Sequence, residues 1–252
     1  MNNHDPNKTL HSVPNLAGGR PASSGQMILE RRRRLVEPWF PSSGGHLVDF
    51  GCGNGAQTLL LAPFFDHVTG LDVNEDFLYD FNVEIRAQGL SDRVATEVLA
   101  PGKTTLPAGP ADVLTSFTVL EHVPDEVAAL RRMRNILRPG GRLILSVPNK
   151  WWLFETHGAD LPLLPWNRVP LVSWWPKFLH DRYARARIYK ADEIVRLVRE
   201  AGFSVDDVFH MTAPMDMIPW EPLRSLARAT LFRPDRASVP ILATEILVIG
   251  KR

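Results

Sequence analysis

An apolar run that begins at His46 ends in an acid and three alternating glycines, Asp49-Phe50-Gly51-Cys52-Gly53-Asn54-Gly55. Glycine lets a chain turn sharply and brings backbone close to a ligand. The helix expected behind it, from Ala56 to Ala62, would offer free N–H groups and a positive dipole end to an anion. Strand, glycine turn and helix together make a nucleotide-type site. The spacing Gly51-x-Gly53-x-x-Ala56, with Asp72 about 20 residues on as a ribose-binding acid, also satisfies a dinucleotide fingerprint. Asp49 argues for a different ligand, because a carboxylate there repels a pyrophosphate and attracts an ammonium. Two histidines, His122 and His157, follow apolar runs. Histidine titrates near neutral pH and suits the removal of a proton from a hydroxyl.

The elements that must position these residues alternate. Strands are expected at 46–50, 68–73, 93–99, 111–117 and 142–148, with helices at 75–88 and 125–137 between them. That rhythm predicts right-handed βαβ units and a parallel sheet covered on both faces. It breaks at 149. Residues 150–189 read as an irregular insert, 190–201 as a helix, 203–210 as a strand, 211–238 as a second irregular insert and 241–250 as the last strand. An amphipathic helix is expected over 26–40, after a disordered arm at 1–25. Its Arg31-Arg32-Arg33-Arg34 points to all sides of a helix, which predicts a solvated face or contact with an anionic substrate or lipid headgroup.

With 252 residues, the chain has ample length for one large domain over 26–252. A net charge of +1 argues against a bulk nucleic-acid binder. Cys52 is the one cysteine, so no internal disulfide forms; it is expected as a small buried filler in a reducing cytoplasm. No secretory signal or transmembrane run is visible.

Asp49-x-Gly51-x-Gly53-x-Gly55, Asp72, Leu120-Glu121-His122-Val123 and Leu137-Arg138-Pro139-Gly140-Gly141, in that order, resemble the motifs of class I S-adenosylmethionine-dependent methyltransferases. The resemblance runs over residues 45–150, with a weaker match at 189–203. It implies an α/β fold: a Rossmann-like, doubly wound sheet of seven strands, mostly parallel with an antiparallel last strand, and a Trp/Pro-rich insert after the fifth strand. It implies S-adenosyl-L-methionine as cofactor. Gly51, Cys52, Gly53 and Gly55 would then take the carboxylate on backbone N–H groups. Asp49 would attract the ammonium directly or through water, and Asp72 would accept both ribose hydroxyls. Val73, Leu99, Ala100 and Phe117 would wall the cofactor. The acid this family often carries after the third strand is absent from Glu97-Val98-Leu99-Ala100-Pro101, so backbone and apolar contacts are expected around the adenine.

Methyl transfer asks the protein for alignment, desolvation and sometimes a base. The resemblance directs the acceptor to strand C-terminal ends, with His122 and His157 as candidate catalytic residues and Glu121, Glu155, Trp151 and Trp152 as candidate substrate contacts. The acids and histidines there lack a diagnostic metal spacing, and no metal is expected. The leading expectation is an O-methyltransferase acting on a small-molecule, saccharide or lipid-linked acceptor. An N- or C-methyltransferase, an NAD-dependent oxidoreductase and a cofactor-binding non-catalytic protein are the alternatives. Trp151, Trp152, Trp166, Trp174 and Trp175, with the cations Lys177 to Lys190 after them, fit a lid, a substrate wall or peripheral membrane contact through 151–190.

Overall fold

The computed structural model describes residues 26–100, 109–154, 159–161, 164–166 and 170–252, with 159–161 and 164–166 described as backbone. The expected arm at 1–25 and the candidates Glu155 and His157 lie outside the described residues.

The first strand, β1 (His46–Phe50), is buried along its whole length, as a central strand of a sheet covered on both faces must be. It pairs in parallel with β2 (His67–Asp72) on one side and β4 (Ala111–Phe117) on the other. β3 (Val94–Val98) extends β2, and β5 (Leu137–Pro148) extends β4. Beyond two short strands, β6 (Ala159–Leu161) and β7 (Leu164–Trp166), which pair only with each other, β8 (Ser204–Thr212) and β9 (Ala243–Lys251) complete the main sheet. Its order is β3-β2-β1-β4-β5-β9-β8. β9 runs antiparallel to both neighbours. This is the seven-stranded, mostly parallel, doubly wound sheet expected, with its last strand reversed.

Helices cover both faces because strand side chains alternate. Leu47, Val68, Val113 and Ile144 pack with Leu61 of α2 (Ala56–Leu61), Phe81 and Ile85 of α3 (Glu75–Ala87), and Leu35 and Val36 of α1 (Met27–Val36). Val48, Leu114, Leu143 and Leu145 face the other way, onto Leu130 and Met133 of α4 (Glu126–Ile136) and Ile194 and Val198 of α6 (Ala191–Glu200). Caps set the helix starts. Asn74 accepts from the N–H groups of Asp76 at 2.9 Å and Phe77 at 3.3 Å, and Asp125 accepts from Ala128 at 2.9 Å. α1 is shorter than the sequence suggests, because Pro38 converts its end to a 3₁₀ turn.

Two expectations are corrected. The insert at 211–238 is not wholly irregular: it holds α7 (Glu221–Ala229), started by Pro222, while the first insert holds α5 (Lys177–Tyr183). The four arginines do not form a solvated face. Arg31 and Arg32 are buried. Arg31 Nη1 donates to the carbonyls of Thr212 at 2.9 Å and Ala213 at 3.0 Å, and Nη2 donates to that of Phe232. Arg34 forks onto Asp235, with both bonds at 2.7 Å. Arg32 forks onto Glu245 of β9. The run ties α1 to the far edge of the sheet and to the second insert.

Candidate functional site

The sheet reverses its winding between β1 and β4, and open α/β sheets take ligands outside the strand ends at such a switch point. Gly51, Gly53 and Gly55 follow β1 there, with φ of 80°, 54° and 78°. All three are left-handed, a conformation in which glycine avoids the strain other residues meet. Space demands glycine too: a Cβ on Gly51 would stand 2.3 Å from Val119 Cγ2, and one on Gly55 would stand 2.1 Å from the Phe81 ring. The turn therefore lies flat against its neighbours.

Its N–H groups are already engaged. Gly51 and Cys52 donate to the carbonyl of Leu71 at 2.7 and 2.9 Å, Gly53 to Asp72 Oδ2 at 2.8 Å, and Gly55 to the carbonyl of Cys52 at 3.0 Å. Asp72, at the end of β2, is 9% exposed. Its Oδ1 accepts from the N–H of Asn74 at 2.9 Å. Each carboxylate oxygen has room for a second donor, so the two backbone bonds orient Asp72 without saturating it. Leu99 donates its N–H to the carbonyl of Asp72 at 2.8 Å, which brings the segment after β3 beside the acid. Val73 stands mostly exposed next to it, an apolar surface at the same strand end. Ala100 is exposed, and its carbonyl accepts from Arg132.

Asp49 is 2% exposed. Thr58 of α2 donates to its Oδ2 at 2.5 Å and Thr115 of β4 to its Oδ1 at 2.8 Å. Burial pushes the carboxyl above its ordinary value, against the pull of the two hydroxyls and of the more distant Arg32 guanidinium. The Cys52 thiol is buried and packed by Gly70; burial, then the charges of Asp49 and Asp72, drive it up. It is the neutral filler expected.

On the other side of β1, β4 ends at Phe117, which is buried under the Arg32 guanidinium at 5.3 Å. Thr118 follows in a left-handed conformation, φ 53°. The next turn, Leu120–His122, holds Glu121 fully buried and His122 partly exposed, with both imidazole nitrogens of His122 turned away from solvent. Arg187 clamps this turn: its N–H donates to the carbonyl of Glu121 at 3.2 Å, and its guanidinium to the carbonyls of Val123 and Pro124. Tyr189 is buried nearby, its hydroxyl pushed up by burial and by the Glu126 carboxylate. Trp151 is half-exposed after β5, whereas Trp152 is buried against Phe154 and Phe232. No group of three or more potential metal ligands occurs among the described residues.

Sequence reasoning missed Thr58 and Thr115, Arg32 and Arg187. A threonine nine residues after Asp49 on the expected helix was a findable signal. The arginines had none, since each was one cation in a run.

A seven-stranded sheet with this order, reversed last strand and glycine turn at the switch point defines a Rossmann-like methyltransferase fold. The chain matches the family model described as "Methyltransferase domain" over residues 25–208 and belongs to that family. It is 27% identical over 255 residues to the ubiquinone biosynthesis O-methyltransferase of Xylella fastidiosa, covering 96% of this chain and 84% of that protein. It is similar in fold to an S-adenosylmethionine-dependent methyltransferase from Mesorhizobium loti, with TM-score 0.59 and 20% identity over 89% of this chain and 100% of that one. The cyclase SpnF shares the fold with TM-score 0.61 and 20% identity over 96% of this chain and 91% of that one. The protein is an S-adenosyl-L-methionine-dependent methyltransferase, and the dinucleotide reading of its glycine spacing falls away.

Proposed function

We propose that this enzyme methylates a hydroxyl oxygen of a small-molecule acceptor, with the cofactor held over the ends of β1 and β2. The relationship to the Xylella enzyme, an O-methyltransferase by name, carries the choice of oxygen over nitrogen or carbon. The bound cofactor supplies a methyl group made electrophilic by its sulfonium. Asp72, oriented by Gly53 and Asn74, takes the ribose hydroxyls on its remaining lone pairs. Val73 and Leu99 flank the adenine. Asp49 acts through space: both its oxygens are engaged by threonines, and it lies under the turn as a fixed negative charge that favours a cationic ligand. Because Gly51, Cys52, Gly53 and Gly55 direct their N–H groups inward, the turn serves chiefly as a flat floor. His122 accepts the hydroxyl proton, on a turn that Arg187 holds in place.

Asp72→Ala tests the cofactor site. Loss of two charge-assisted hydrogen bonds, at about 1.5–3 kcal/mol each, weakens S-adenosylhomocysteine binding at least about 100-fold in calorimetry. Unchanged affinity would sink the assignment. For the acceptor, labelled methyl donor offered with a catechol or an aromatic amine should mark the catechol; label confined to the amine overturns the oxygen reading.

A further inference from the structure

α7 is built inside out. Its two arginines turn toward the protein: Arg228 donates to the carbonyl of Pro214 at 2.9 Å and to Asp216 at 2.6 Å, and Arg224 to the carbonyl of Ile218 at 3.2 Å. No residue of the helix is buried, and its leucines face out, Leu226 being 61% exposed. Trp220 before the helix, Leu223 within it and Leu231 after it extend the exposed apolar row.

The segment that carries α7 packs against the other insert. Phe232 meets Trp152 edge-on at 6.4 Å, and Asn149 Nδ2 donates to the carbonyl of Pro240 at 2.7 Å. There Trp151, Trp174, Val239, Pro240 and Ile241 line an apolar groove of about 290 Å³. Of the large apolar side chains exposed among the described residues, ten fall between 151 and 241, and only Val73, Tyr79, Val83 and Val98 lie elsewhere. Cations rim this face: Lys190 stands over the Trp151 ring at 6.0 Å, Lys150 donates to the carbonyl of Trp175 at 3.2 Å, and Arg233 beyond α7 is exposed. Two copies meeting through this surface would oppose like charge, which disfavours a self-interface. An anionic bilayer matches both features, because tryptophan settles at headgroup depth, leucine below it, and cations meet phosphate.

We propose that α7, with the rim of the Trp151–Ile241 groove, docks the enzyme on an anionic membrane surface. The groove then opens toward the lipid phase, next to the end of β5. No helix among the described residues is long and apolar enough to cross a membrane, so the contact is peripheral.

The test is co-sedimentation of the full chain with phosphatidylcholine vesicles, with and without phosphatidylglycerol, using wild type and Leu223→Ser/Leu226→Ser. The wild type should bind the anionic vesicles, weaken as salt rises, and lose about tenfold in partition for each leucine replaced. Absence of binding to anionic vesicles overturns the proposal. So does a wild-type dimer in sedimentation velocity that the double variant converts to monomer, which would make α7 a self-interface. S-adenosylhomocysteine binding by the same samples reports on the cofactor site separately, since neither leucine belongs to it.

Discussion

Arg32→Met is the most informative single perturbation of this fold. Arg32 and Glu245 are 5% and 3% exposed, and the guanidinium reaches the carboxylate through two bonds, Nε to Oε2 at 3.0 Å and Nη2 to Oε1. The same group covers Phe117 at 5.3 Å and comes within 3.5 Å of Thr118 Oγ1. Methionine keeps most of the stem and removes the charge, so the Glu245 carboxylate is left buried without its cation. Breaking a buried pair in this way costs about 3–5 kcal/mol. At about 2–4 °C per kcal/mol for a chain of this size, the melting temperature falls by about 6–20 °C. Removing both charges should restore most of the loss, because an apolar pair of similar volume carries no desolvation penalty. Arg32→Met/Glu245→Met therefore lies near wild type, and because Glu245→Met strands the buried guanidinium at a similar cost, the double-mutant cycle yields a coupling of about 6–10 kcal/mol. Urea unfolding of the four proteins, with m-values compared, measures it. A single variant that costs under about 1 kcal/mol, or a double variant as unstable as the two losses added, would refute the buried latch.

Asp49→Asn should weaken S-adenosylmethionine binding about tenfold or more at neutral pH, one buried charge being lost beneath a cation. The pH dependence has a definite sign. Burial makes the free protein hold the Asp49 proton to higher pH than the ordinary 3.8, while a cationic ligand favours the ionised form. Wild-type affinity therefore declines as pH falls through that raised value, with a proton released on binding, and the Asn variant lacks this limb. Identical calorimetric pH profiles would remove Asp49 from the electrostatics of the site. His122→Gln should lower kcat by about 100-fold or more with S-adenosylhomocysteine affinity retained. A parallel loss of cofactor affinity would instead assign the residue to shaping the turn, and an unchanged kcat would end its role as base.

What could be read from residue order was whatever is local in the chain. The glycine turn, the acids in the last two positions of β1 and β2, the caps Asn74 and Asp125 and the alternation of strand and helix are all written within a few residues of where they act. Each carries its own physical signature, and four motifs in order leave few folds that satisfy them. Partners far apart in sequence leave no such mark. Arg32 and Glu245 are 213 residues apart, and Arg31 reaches Thr212 across 181. In a run of four arginines nothing distinguishes the two that end up buried, because burial is decided by which acids and carbonyls the sheet later brings opposite α1. The same limit hid α7. Its charges and leucines have helical spacing, but the spacing cannot say which face turns inward; Asp216 and the carbonyl of Pro214 decide that by taking Arg228. Position along the chain thus locates the glycine turn and its two acids, whereas the turn that carries His122 is set by contacts between segments, Arg187 gripping it from 63 and 64 residues away. Variants of Arg187, which bonds the turn that carries His122, should accordingly alter kcat or acceptor KM before they alter cofactor affinity.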